Sequence, residues 1–181
     1  CALPIFVLQM SYTPLMIEQL AFDNICHEHV YYWSLFSIKR LLEEANFQIV
    51  DCQLNDVNGG SFRLYIKKSN ADLTKFASRP YRDVCNVRIK SLLEWESSLK
   101  LDQVDTWIDF YNRIEQLKEQ TVNFIKSEKA NGKVICGYGA STKGNTLLQY
   151  FGLDNTLIDA IAERSHYKFG LKTIGTNIPI I

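Results

Sequence analysis

"KVICGYGASTKGNTLLQYFGLDNTLIDAIAE", residues 133–163, is the stretch from which the fold class is read. "KVICGYG" is a short apolar run closing on two glycines, which predicts a buried strand that turns sharply at Gly137 and Gly139. "ASTKGNTLLQYF" follows with Ser141 in a capping position ahead of apolar residues at helical spacing, and "LIDAIAE" reads as a second strand. Two strands joined through a helix of this length form a parallel crossover, so the chain belongs to the α/β class.

Upstream of this unit, residues 70–131 read as two antiparallel helices. Leu101, Val104, Ile108, Tyr111, Ile114, Leu117, Phe124 and Ile125 mark an apolar stripe along the second, and residues 84–99 carry a rougher one. Asn131-Gly132 supplies the usual helix stop. Further upstream, a helix from Ser37 to about Asn46 places Ile38, Leu41, Leu42 and Ala45 on one face. It feeds "FQIVDCQL", the turn-rich "NDVNGG" and the alternating "SFRLYIKK", a β-hairpin. At the start, "LPIFVLQM" suits a buried strand, and an irregular connection with one helical turn near residues 14–20 leads on to Trp33. The expected organisation is an α/β piece over 1–70, a helical connection over 71–131 and a second α/β piece over 132–181. The apolar ends suggest a segment of a longer protein.

The composition narrows the function. Of 181 residues, 46% are hydrophobic, enough for a sizeable core, and 20 basic residues balance 20 acidic ones. No net field or basic cluster favours nucleic acid or a membrane surface, so a small molecule or a protein is the expected partner. Cys1, Cys26, Cys52, Cys85 and Cys136 are scattered without metal-ligand spacing or a disulfide framework, which fits reduced thiols in the cytoplasm. No apolar run has the length of a membrane span.

Two constellations carry chemistry. In "GYGASTKGN" the glycines, the Ser141 cap, the free amides of the first helical turn and Lys143 suit a phosphate. Thr142 stands where a dinucleotide fingerprint needs its third glycine, and a Walker A loop needs glycine before the lysine. Glu163, at the end of the next strand, offers a carboxylate for a ribose hydroxyl. A tight turn with a solvated lysine explains the same residues. In "FDNICHEHVYYW", residues 22–33, His27 and His29 share a side only if the chain is extended. A metal then still lacks a third ligand beyond the oxygens of Asp23 and Glu28, so no metal is expected here. General acid/base chemistry and a polar loop that satisfies buried backbone remain as alternatives.

"FDNICHEHVYYWSLFSIKRLLEE", "DVNGGSFRLYI" and "GYGASTKGNTLLQYFG", with the weaker "ERSHYKFGLKTIGTNIPI", resemble in this order the S-adenosylmethionine-dependent sugar C-methyltransferases acting on nucleotide-linked 4-keto deoxysugars. In that family an N-terminal zinc-binding segment precedes a Rossmann-like methyl-donor domain, and a second Rossmann-like domain helps to hold the nucleotide sugar. The resemblance implies that 1–70 is the end of the donor domain and 132–181 the start of the second. The donor's glycine loop and the zinc cysteines then lie outside this chain, and the segment alone is inactive. It also implies that His29 is the base that removes a proton beside the ketone, with Glu28 and His27 as its catalytic neighbours. The resulting enolate then attacks the donor methyl. Asn58, Gly59, Gly60, Ser61 and Arg63 become sugar or phosphate contacts, with a plain hairpin turn as the alternative for the glycines. Tyr138, Ser141 and Lys143 would serve the diphosphate or the sugar. Cys26 replaces a tyrosine common in the family and Asn58 a histidine, so a phenol at the enolate oxygen would have to come from Tyr31 or Tyr32. The rival readings are an NAD(P)-dependent oxidoreductase using "GYGA" and Glu163 with residues 27–29 as proton relay, and a non-catalytic nucleotide-sugar binding domain.

Overall fold

The alternation in "SFRLYIKK" builds the centre of the first sheet. In the computed structural model, which describes residues 5–72, 74 and 78–181, this segment is strand β3, Ser61–Lys68. Phe62, Leu64 and Ile66 are fully buried on one face while Arg63 points to solvent. β1 (Phe6–Ser11) and β2 (Phe47–Asn55) pair with it on either side, both antiparallel, in the order β1-β3-β2. β1 and β2 therefore run parallel to each other. A bulge between Ile49 and Asp51 shifts the register of β2.

Leu3 and Pro4 of "LPIFVLQM" lie outside the described residues, and the rest is not the buried strand that its composition suggests. β1 sits at a sheet edge; Leu8 and Met10 pack on the core while Phe6 is 52% and Val7 49% exposed. A run apolar at every position signals a strand covered on both faces. Among the described residues only one face of β1 is covered.

α1 (Thr13–Glu18) and a 3-10 turn (Phe22–Asn24) follow β1, then α2 (Leu35–Glu44). α2 begins earlier than its apolar spacing predicts because Ser34 caps it, with the Ser37 hydroxyl bonding back to the Ser34 amide. Its buried face is Leu35, Ile38 and the half-buried Leu42, whereas Leu41 and Ala45 face outward, contrary to the expected face. α3 (Arg79–Ser98) lays Ile89, Leu92, Leu93 and Trp95 against the same core. There Glu96 is buried. It accepts from the Tyr12 hydroxyl (2.6 Å) and the Leu35 amide through Oε1, and from the Phe36 amide (2.8 Å) through Oε2. A carboxylate thus sits on the positive end of α2.

α4 (Val104–Ala130) keeps only part of its expected stripe: Ile114 is buried, as is Phe110, and Leu117 and Ile125 are half-buried, while Val104, Ile108, Tyr111 and Phe124 are exposed. The packed face runs through the 110/114 pair, one helical turn apart, instead of through 104, 108 and 111. β4 (Cys136–Tyr138) and β5 (Ala160–Ala162) pair in parallel through α5 (Thr142–Phe151), the predicted crossover. β4 is short and exposed, not buried, because among the described residues it pairs on one side only, whereas β5 also bridges Ile180 through Ile161 and is largely buried.

The described chain divides into two compact units. One comprises the chain up to Ala21 with Tyr31–Ile108; the other comprises Phe22–Val30 with Asp109–Ile181. Among the described residues no helix is long and apolar enough to cross a membrane.

Candidate active site

Residues 22–30 belong to the second unit, and their hydrogen bonds give the histidines unequal places. The Asn24 carbonyl accepts from the Cys26 amide, the Cys26 carbonyl accepts from the His29 amide, both at 3.0 Å, and so the segment closes as consecutive tight turns. His27 and Glu28 lie exposed at the tip while His29 is half-buried. Residues 27–29 themselves are neither extended nor helical. Among the described residues no three His, Cys, Asp or Glu side chains converge.

His29 has a defined partner. Its Nδ1 lies 2.8 Å from the Asn24 carbonyl oxygen. A carbonyl only accepts, so Nδ1 carries the hydrogen, and a neutral ring keeps its lone pair on Nε2. Glu28 Oε1 accepts a 3.3 Å hydrogen bond from the Thr142 hydroxyl, on the first residue of α5. The start of the segment is anchored too. Phe22 is buried and stacks on Phe151 with ring centroids 5.4 Å apart, and it lies tilted against Tyr150 at 5.6 Å.

The "GYGAST" turn stands at the same end of α5 as Glu28. Ser141 caps the helix, its hydroxyl accepting from the Gly144 amide at 3.0 Å. Gly139 has φ +89, where a side chain would be strained, and Gly137 leaves room for Ile161, which a Cβ would meet at 2.5 Å. Tyr138 is 85% exposed, and Lys143 is half-buried on the first turn of α5. The shape of the turn is fixed at Ala140. Its amide donates to Glu163 Oε2 at 2.8 Å, and its carbonyl accepts from Lys168 Nζ at 2.6 Å. Glu163 Oε1 also accepts from the Arg164 and Ser165 amides. These amide bonds, that from Ser165 first, hold the Glu163 carboxyl down at about 2. Glu163 is therefore committed to loop backbone and is not the ribose acceptor that its place after β5 suggests.

In the first unit, Asn58, Gly59 and Gly60 have φ +57, +75 and +107 in succession and form the hairpin turn between β2 and β3. Gly60 is buried with its Cα facing Leu15, and Ser61 is buried with its hydroxyl donating to the Val57 carbonyl. Arg63 donates from Nε to Gln9 Oε1 across β1 and β3. In the same unit Tyr31 is exposed and stacks on Trp33.

Asn24, Thr142 and Lys168 hold these loops in shape. Asn24 acts through a backbone carbonyl, and Thr142 and Lys168 through contacts with residues distant in sequence, so residue type alone carries no signal for them. Residues 56–181 match the family model described as the C-methyltransferase C-terminal domain. The chain is also 31% identical over 176 residues to the C-methyltransferase NovU of Streptomyces niveus, a match covering 97% of this chain and 40% of that protein. The chain thus spans well under half the length of that relative.

Proposed function

The chain belongs to the C-methyltransferase family, and from that membership we propose that it carries the base and part of the substrate side of an S-adenosylmethionine-dependent enzyme. The substrate is a nucleoside-diphosphate 4-keto-deoxysugar, methylated on carbon beside the ketone. In this reading, 1–70 is the end of the donor domain, 71–131 a helical connection and 132–181 the start of a second Rossmann-like domain. The parallel β4/β5 pair joined through α5 supports the α/β assignment of the second piece, whereas the β1-β3-β2 sheet of the first is antiparallel at both of its pairings.

The observation that carries the reading is the 2.8 Å contact between His29 Nδ1 and the Asn24 carbonyl oxygen. The ketone acidifies the neighbouring C–H. That proton passes to His29 Nε2, the C–H electron pair becomes the enolate, and the ring becomes an imidazolium that keeps its Nδ1–H on the Asn24 carbonyl. Glu28, adjoining in the same turn, supplies a negative charge near that cation. His27 is exposed at the tip, where it can reach substrate. S-adenosylmethionine supplies the electrophilic methyl when bound. None of the residues described is assigned to hold it: the Gly-X-Gly turn at 137–139 has its downstream acid, Glu163, spent on loop amides. Tyr138, Ser141, the first-turn amides of α5 and Lys143 are assigned to the diphosphate or sugar; Asn58, Gly59 and Arg63, which are exposed, are assigned as further substrate contacts, with the buried Gly60 and Ser61 shaping the turn that presents them.

The test uses the full-length protein with a labelled methyl donor and a nucleotide-linked 4-keto-6-deoxysugar. Label on a sugar carbon is the expected product. Nicotinamide-dependent turnover of the sugar would favour the oxidoreductase reading instead, and tight binding with neither reaction would favour a sugar-binding domain.

A further inference from the structure

The proposed base and the proposed diphosphate anchor are tied together by α5. Phe22 holds the start of the 22–30 segment on Tyr150 and Phe151 at the C-terminal end of the helix. Glu28 is bonded to Thr142 at its N-terminal end. A helix of ten residues is about 15 Å long, so these attachments fix the segment at both ends of a rigid rod. Thr142 also stands between Ser141, whose hydroxyl oxygen accepts the helix-cap bond, and Lys143.

We propose that Thr142 is a positioning residue for proton abstraction. Through its hydroxyl it holds the Glu28 carboxylate, and with it the turn that carries His29, in register with the end of α5. The inference rests on the assignment of His29 as the base. It differs from a substrate-contact role because the hydroxyl donates to Glu28 within the protein. Thr142 therefore acts on the rate at which bound substrate loses its proton, not on how tightly the sugar nucleotide is held. The hydroxyl is what matters: valine keeps the branched shape and loses the donor, whereas serine keeps the donor.

The full-length protein is incubated in heavy water with a nucleotide-linked 4-keto-6-deoxysugar, and deuterium entry beside the ketone is followed as a function of sugar concentration. The wild type, Thr142→Val, Thr142→Ser and His29→Ala are compared. A single lost hydrogen bond to a carboxylate predicts about a five-fold lower maximal exchange rate for Thr142→Val, with half-saturation unchanged within about two-fold and the serine variant close to wild type. An unchanged rate in Thr142→Val, or an effect confined to half-saturation, overturns the role. Wild-type exchange in His29→Ala instead removes the base assignment on which the role rests.

Discussion

The His29 ring shows how far a side chain's chemistry is set by a group that residue type does not advertise. The three titratable residues 27–29 were legible as a candidate acid/base group, but the partner that selects the tautomer is the backbone oxygen of Asn24, five residues earlier. Only the folded turn reveals it. Glu163 teaches the reverse lesson: a carboxylate in the right place after a strand is consumed by the Ala140, Arg164 and Ser165 amides. Its depressed ionisation makes a testable statement. Glu163 lies well below the ordinary glutamate value of 4.5, so its contribution to stability is full above that value and is lost as the pH falls toward about 2. Glu163→Gln should melt below wild type by a constant margin from pH 7 to 5. The margin should shrink below about pH 4, where Glu163 of the unfolded chain takes up a proton that the folded carboxylate still refuses; a margin that holds down to pH 3 would contradict the role of the charge.

At the scale of elements, the positions of the helices and the hairpin were readable, and their buried faces were read less well. Periodicity finds a helix wherever apolar residues recur, but which side is covered depends on tertiary neighbours, as the exposed Leu41, Val104 and Ile108 show. Glu96 is the clearest case. It looks like one more solvated charge of α3, yet it accepts from the amides that open α2 and from the buried hydroxyl of Tyr12, whose ionisation is driven upward by burial first and by the Glu96 hydrogen bond next. Glu96→Ala should cost about 3 kcal/mol, because three hydrogen bonds to a charged group are lost and the Tyr12 hydroxyl is left buried without this acceptor. Thermal melting should register this as a drop of roughly 10 °C. The turn at 58–60 gives a paired prediction. An alanine at Gly60 would place its Cβ 2.5 Å from that of Leu15 at φ +107, whereas at Gly132, φ +75, nothing lies within 4 Å. Gly132→Ala should therefore cost about 1 kcal/mol for backbone strain alone and Gly60→Ala about 3, compared by melting temperature. Equal shifts would mean that the contact with Leu15 relaxes freely.

For the molecule as a whole, the α/β class and the order of three motifs were legible, and the family match bears out the resemblance that those motifs carried. The packing of residues 22–30 with the second unit was not, because it depends on Phe22 meeting Phe151 and on Glu28 meeting Thr142, pairings that no local pattern encodes. Because the chain spans 40% of the relative that it matches, the whole-protein activity is the proposal on which everything else turns, and its core is the removal of a sugar C–H proton by His29. The decisive measurement is deuterium entry beside the ketone of a nucleotide-linked 4-keto-6-deoxysugar, catalysed by the full-length protein with no methyl donor present, in wild type and His29→Ala. The account predicts steady exchange in the wild type and at least about a hundred-fold loss in the variant, the usual contribution of a positioned general base. Exchange that survives the substitution undiminished, with the sugar still bound, would contradict it.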